Sequence, residues 1–125
     1  IAVIAVSIFL ISSAIWAAPG ANIVYSETNL GSGLWQYDYT FSNVTTGDEA
    51  FELFMLVLYF DRQAKVTGLP LPDGWYDTRS GRNEWEGERL TTFMETYTED
   101  PIYDIEPGNS LEGFSYIVDY QTGSL

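Results

Sequence analysis

The stretch "LWQYDYTFSN", residues 34–43, alternates strictly. Trp35, Tyr37, Tyr39 and Phe41 fall on one side, with Gln36, Asp38, Thr40 and Ser42 on the other. A period of two is that of a β-strand with one covered face, and a helix cannot segregate these residues. The pattern returns in "GFSYIVDY" (113–120), which sets Phe114, Tyr116, Val118 and Tyr120 on one side. No helical period is sustained anywhere beyond residue 20. Further strand-like runs are "NIVYSET" (22–28), "FELFMLVLYF" (51–60) and "RLTTFMETYT" (89–98), separated by the turn "NLGSG" (29–33), a loop at 44–49 and an acidic connection at 99–110. The long segment 61–88 is rich in turn residues, and only "AKVTGL" within it has strand character. Short strands joined by Gly/Pro turns predict an all-β domain, an antiparallel β-sandwich of jelly-roll-like build.

Two of these runs carry more specific expectations. "FELFMLVLYF" is apolar on both faces, the pattern of a central strand covered on both sides. Beside it, the row Trp35–Phe41 reads as one wall of the core, and the alternative is an exposed face on which sugars stack.

Composition narrows the function. The 125 residues suit one domain, and an apolar content of 46% with 16% aromatics can fill its core. There are 18 acidic and 5 basic residues, for a formal charge of −13. Such a polyanion is repelled by nucleic acid and by anionic headgroups, and it accommodates a cation, a basic partner or a neutral ligand. The chain has no Cys and no His, which excludes disulfides, Cys/His zinc sites, thiol nucleophiles and an imidazole base. Catalysis would fall to carboxylates, Tyr, Ser or Lys65, and no pair of acids stands out as a glycosidase pair, so a non-catalytic protein is expected.

Residues 1–18, "IAVIAVSIFLISSAIWAA", are uncharged and interrupted only by Ser7, Ser12 and Ser13. They match the apolar core of a secretory signal peptide, with cleavage after Ala17 placing Ile15 and Ala17 at the positions the peptidase inspects. A retained apolar N-terminal helix that anchors the chain is the alternative. The chain opens at Ile1 without Met or a basic stretch, and "YIVDYQTGSL" stops just past a strand-like run. It therefore reads as a piece of a longer protein, with a leader at 1–18 and a β-sandwich domain at 19–125, truncated at its C-terminus.

Three motifs hold candidate sites. In "LPDGWYDTRSGRNEWEGE" (71–88), Trp75, Tyr76 and Trp85 stand in apparent loops among Asp73, Asp77 and Asn83. Exposed rings beside amides and carboxylates are the components of a carbohydrate platform, and the alternative is that the tryptophans plug the ends of the core. In "EDPIYDIEPGN" (99–109), Asp100, Asp104, Glu106 and Asn109 offer oxygen ligands for Ca²⁺, although the spacing is not that of an EF-hand. Asn43-Val44-Thr45 matches an N-glycosylation acceptor.

An apolar leader, then "IVYSETNLGSGLWQYDYTFSN", then "FELFMLVLYFD" resembles the opening of exported bacterial proteins of the PEP-CTERM sorting class. The positions that carry the likeness are Trp35, Tyr37, Tyr39 and Asn43, then Phe60 and Asp61, with "SLEGFSYIVDY" as a later strand. The sorting tail of that class is not among these residues. The resemblance implies export followed by cell-surface or extracellular-matrix association, with no catalytic residues to carry over. Expected partners are polysaccharide or other matrix proteins and no nucleic acid. Contact with a membrane is expected only through the N-terminal segment or a C-terminal tail. A carbohydrate-binding module and a filament or pilus subunit that keeps its apolar N-terminus are the competing functions.

Overall fold

The computed structural model describes residues 2–9, 20–47, 51–77 and 87–122. Among them there is no α-helix. The strands are β1 (Ala2–Phe9), β2 (Gly20–Gly31), β3 (Leu34–Asn43), β4 (Met55–Gly68), β5 (Trp75–Asp77), β6 (Gly87–Thr98) and β7 (Ser110–Val118). They form one antiparallel sheet in the order β1-β2-β3-β7-β4-β6-β5, and a single 3-10 turn spans Pro101–Tyr103.

Local chemistry explains the first hairpin. Gly31, Ser32 and Gly33 take φ of 85°, 55° and 80°, a left-handed reversal that two glycines make cheap. Asn29 Oδ1 accepts the Gly31 N–H at 2.8 Å and pins the turn. β2 and β3 then run in register from Asn29↔Trp35 to Ala21↔Asn43.

Two features of the sheet are non-local. β7 pairs along most of β3, but it meets β4 only where Gly68–Val66 face Tyr116–Val118. β5 and β7 stand three strands apart in the sheet, ~14 Å if it were flat. Yet the Trp75 ring of β5 meets the Phe114 ring of β7 edge-on with centroids 5.0 Å apart. Likewise Thr96 Oγ1 on β6 and the Tyr116 hydroxyl on β7 lie 2.6 Å apart. The sheet therefore curls until its inner face closes on itself, and the core fills the curl.

Into that core go Tyr25, Tyr37, Phe41, Leu56, Val66, Trp75, Met94, Phe114, Tyr116 and Val118. The alternating row of β3 is one wall of it. Tyr37 is fully buried, and the rings of Tyr25, Tyr37 and Tyr39 stand with centroids 5.5–6.3 Å apart. Burial raises the Tyr39 hydroxyl pKa well above its ordinary value, and the neighbouring tyrosines add to this. Each such ring contributes about 1.5–3 kcal/mol on leaving water, so the row is structural.

Two expectations change. Ala2–Phe9, read from the sequence as the start of an apolar helix, runs extended along β2 from Ala2↔Glu27 to Phe9↔Gly20. Val3, Ile4, Val6 and Ile8 are β-branched and favour extended backbone, and the β2 edge offers peptide groups to pair with. "FELFMLVLYF" is covered on one side only by the described residues. β4 begins at Met55 and turns Leu56, Leu58 and Phe60 toward the core, leaving Tyr59 82% exposed on the other side. The strand also runs on past the apolar run through Ala64, Val66 and Gly68, after a register shift between Tyr59 and Ala64.

Candidate binding face

The residues singled out in the 71–88 segment do not meet as a platform. Trp75 is fully buried in β5, against Phe114, and its indole N–H donates to the Tyr103 carbonyl at 3.2 Å. The tryptophan therefore belongs to the core, as a large ring can when its N–H finds an acceptor. Asp77 is also fully buried and lies 3.3 Å from the Arg89 guanidinium, itself nearly buried. It is half of an interior ion pair and does not face a ligand. Asp73 is exposed in the turn before β5, and Tyr76 points outward between the two buried residues. Trp85 and Asn83 lie outside the described residues.

The acidic connection is a folded turn. Asp100 Oδ1 accepts the Ile102 N–H at 3.1 Å and caps the 3-10 turn, and Asp104 closes that turn with its own N–H on the Pro101 carbonyl. The Asp104 carboxyl has its pKa raised, by partial desolvation first and then by the charges of Glu52 and Asp100. The Glu106 carbonyl accepts the Asn109 N–H at 2.9 Å. Among the described residues no group of three or more carboxylates gathers tightly enough to hold a metal ion. The Asn43 acceptor motif is interior: Asn43 is 1% exposed, and its Nδ2 donates to the Phe51 and Ile105 carbonyls at 2.7 and 2.8 Å. Its Oδ1 accepts the Thr45 N–H at 3.0 Å. The side chain is consumed in joining three segments.

A different surface has the character of a binding site. On the outer face of β4, β6 and β5 the register places Met55 beside Tyr97, Val57 beside Glu95, and Tyr59 beside Phe93. Tyr76 of β5 extends the first of these rows, since it pairs with Tyr97. Among the described residues the result is a grid of rings and aliphatic side chains with one carboxylate, Glu95, at its middle. Tyr59, Phe93 and Met55 are 82%, 46% and 40% exposed, while Tyr76, Val57, Glu95 and Tyr97 are half-buried. Two ring pairs form, Tyr76–Tyr97 and Tyr59–Phe93, each with centroids 6.4 Å apart. Four residues of β6 separate the pairs, a span of ~13–14 Å. A solvated sheet face ordinarily carries Thr, Lys and Glu, and a contiguous apolar patch there marks an interaction surface.

The outer face of β2, β3 and β7 is polar by contrast. A half-open hollow of about 370 Å³ is lined there by Val24, Ser26, Asp38, Thr40, Glu112 and Ser115. It sits at a bulge, where the β3–β7 register shifts between Tyr39 and Thr40 and Gly113 takes a φ of 101°. Asp38 is already satisfied by Gln36 Nε2 at 2.9 Å and the Ser115 hydroxyl at 2.6 Å.

Of the expected site residues that are described, Tyr76 alone belongs to the aromatic grid. Tyr59, Phe93, Glu95 and Tyr97 enter it only through the pairing of β4 with β6. No protein-family model, curated protein or solved structure matches this chain.

Proposed function

We propose that this chain is an exported, non-catalytic protein of the cell surface or extracellular matrix, with a structural or adhesive role exerted through the outer face of β4, β5 and β6. The observation that carries the reading is the open aromatic grid of Tyr76, Tyr97, Tyr59 and Phe93. A face of that kind gains free energy when something covers it, which is what adhesion requires. The charge of −13 supports it too, by keeping such a protein soluble and turning away polyanions. The uncharged opening segment and the likeness to PEP-CTERM-class proteins support export. In the same reading the curled sheet is a two-layered, jelly-roll-like β-sandwich, supported by the contact of Trp75 with Phe114.

A second reading, a filament or pilus subunit that keeps its N-terminal segment, is favoured by one observation: Ala2–Phe9 pairs along β2 as part of the sheet. Mass spectrometry of the chain recovered from producing cells separates the two. A mature start near residue 18 supports export with cleavage, and a retained Ile1–Ala17 supports the subunit. The adhesive role is tested by surface attachment of cells that carry Tyr59→Ser with Phe93→Ser. Attachment should fall while the amount of surface protein stays constant, and unchanged attachment would sink the assignment.

A further inference from the structure

We infer that the outer face of β4, β5 and β6 binds a neutral polysaccharide: Tyr76 with Tyr97 and Tyr59 with Phe93 are two stacking platforms, and Glu95 between them accepts hydrogen bonds from sugar hydroxyls. This rests on the reading of that face as the working surface and adds the chemistry of its occupant.

The side chains of the grid are of the kind a sugar needs. A pyranose has one face lined with C–H groups and a rim of hydroxyls, so it matches a ring that is flanked by polar acceptors. The grid supplies both, since Tyr59, Tyr76 and Tyr97 have hydroxyls at their tips and Glu95 is an acceptor set among the rings. Their spacing sets the length of the occupant. Two platforms ~13–14 Å apart along β6 are too far apart for one sugar ring or for adjacent sugars, and suit two non-adjacent residues of an extended chain with Glu95 facing the sugars between them.

Charge then selects among occupants. A second copy laid face to face would bury Glu95 against apolar side chains, or set it against its own counterpart. Either outcome takes a carboxylate out of water, and a rigid facing sheet offers it at most a tyrosine hydroxyl in return, so the contact is penalised. Sugar hydroxyls are donors and remove that penalty. A polyuronate or sulfated glycan would meet both Glu95 and a chain of net charge −13, so the glycan is neutral. The polar hollow on the other outer face has no comparable pair of exposed rings, and its Asp38 is engaged internally.

The test is affinity electrophoresis of the full chain through gels that contain hydroxyethylcellulose, laminarin, dextran or, as the anionic control, alginate. Retardation by at least one neutral polymer is expected, with none by alginate. Tyr59→Ala and Tyr97→Ala should each weaken binding about tenfold, and Glu95→Gln should weaken it less, because the amide keeps an acceptor. The substituted tyrosines lie on the outer face, and circular dichroism confirms that each variant is folded. No retardation by any neutral polymer, undiminished retardation of the Tyr59→Ala/Tyr97→Ala double variant, or equal retardation by alginate would overturn the inference. A dimer by light scattering that the double variant dissolves would also overturn it, in favour of a second copy. Attachment that needs Tyr59 without any glycan retardation refutes the glycan and keeps the adhesive face. Attachment that survives its loss refutes the face itself.

Discussion

Asn43 is where one side chain holds the most of this fold. It sits at the end of β3, 1% exposed, and joins the chain ahead of β4 to the turn at Ile105 through two donated hydrogen bonds of 2.7 and 2.8 Å. Asn43→Asp keeps the shape and the acceptor toward Thr45, but it replaces both donors with an oxygen facing two carbonyls. The Ile105 carbonyl keeps the Leu53 N–H at 2.9 Å. The loss is then two hydrogen bonds at about 0.5–1.5 kcal/mol each plus about 1–3 kcal/mol for a carboxyl oxygen desolvated against carbonyls, together about 2–6 kcal/mol near neutrality. That is a large part of the total stability of a domain this size. The loss must also depend on pH. Burial and the two carbonyls disfavour the charged form, so the introduced carboxyl has a folded pKa above its unfolded value of about 3.9. Its contribution is then most favourable below that unfolded value. It is lost as pH rises through the folded pKa, by about 1.4 kcal/mol per unit of separation. Asn43→Ala removes the same donors without adding a titrating group. Urea unfolding followed by tryptophan fluorescence, at about pH 4.5 and about pH 7.5, reads both variants against the parent. The Asp deficit should widen toward neutrality and the Ala deficit should stay flat. A deficit below about 1 kcal/mol, or one that does not grow with pH, would mean that the Asn43 amide does not donate to these two carbonyls.

Other perturbations follow from the same structure. Arg89→Met takes the guanidinium from a fully buried Asp77 that lies 3.3 Å away, and should cost about 3–5 kcal/mol in urea unfolding. Adding Asp77→Asn should restore part of the loss, and a single-variant cost under ~1 kcal/mol would contradict the burial of the pair. Gly74→Ala places a Cβ into the Tyr103 ring at a φ of 76°, and calorimetry should show a fall of about 1–3 kcal/mol, where an unchanged Tm would argue against that contact. Alkali should unfold the protein in a defined window. Burial, with the Asp77 charge adding to it, pushes the Tyr116 hydroxyl up to about 12, against the lowering pull of Thr96 and Arg89. A folded pKa above the unfolded one gives stability that is complete below about pH 10 and lost as pH climbs toward 12. Phenolate absorbance showing all nine tyrosines titrating near pH 10 in a still-folded chain would refute this. Calcium at about millimolar concentration should leave Tm unchanged, because Asp100 is engaged as a cap and among the described residues no three carboxylates gather to hold an ion. A clear rise that Asp104→Asn abolishes and magnesium does not reproduce would show that this turn binds the ion.

What could be read from the sequence depended on the range of the interaction. β3 and β7 were legible because their apolar rows alternate without interruption, and the inward residues the pattern picks, Tyr37, Phe41, Phe114, Tyr116 and Val118, are the buried ones. The insertion of β7 between β3 and β4 was not, since it depends on a short ladder at Gly68–Val66 that has no local signature. The far half of β4 was obscured by the shift between Tyr59 and Ala64, which breaks the period midway. Trp75 and Asp77 looked like loop residues because β5 is only three residues long, and their partners Phe114 and Arg89 arrive from elsewhere in the chain. β6 inverted the usual rule. Hydropathy would bury Phe93 and Tyr97, yet Met94, Thr96 and Thr98 face inward. Thr96 can do so because the Tyr116 hydroxyl satisfies it at 2.6 Å. The hint in the sequence was that "FELFMLVLYF" asks for cover on two faces in a chain with few helix signals to supply the second.

That mismatch connects the fold to the proposed role. A strand apolar on both faces gains most when both are covered, and among the described residues the core takes just one of them. The outward rings of Tyr59 and Phe93 remain in water, with Tyr76 and Tyr97 half-covered beside them. Such a patch invites self-association, and a large surplus of acidic residues counters that through long-range repulsion between copies. The same repulsion barely affects a neutral ligand, which has no charge to feel it. High negative charge and an open aromatic face therefore form one design: the charge discourages copies and polyanions, and the face stays available to an uncharged partner with hydroxyls to offer Glu95.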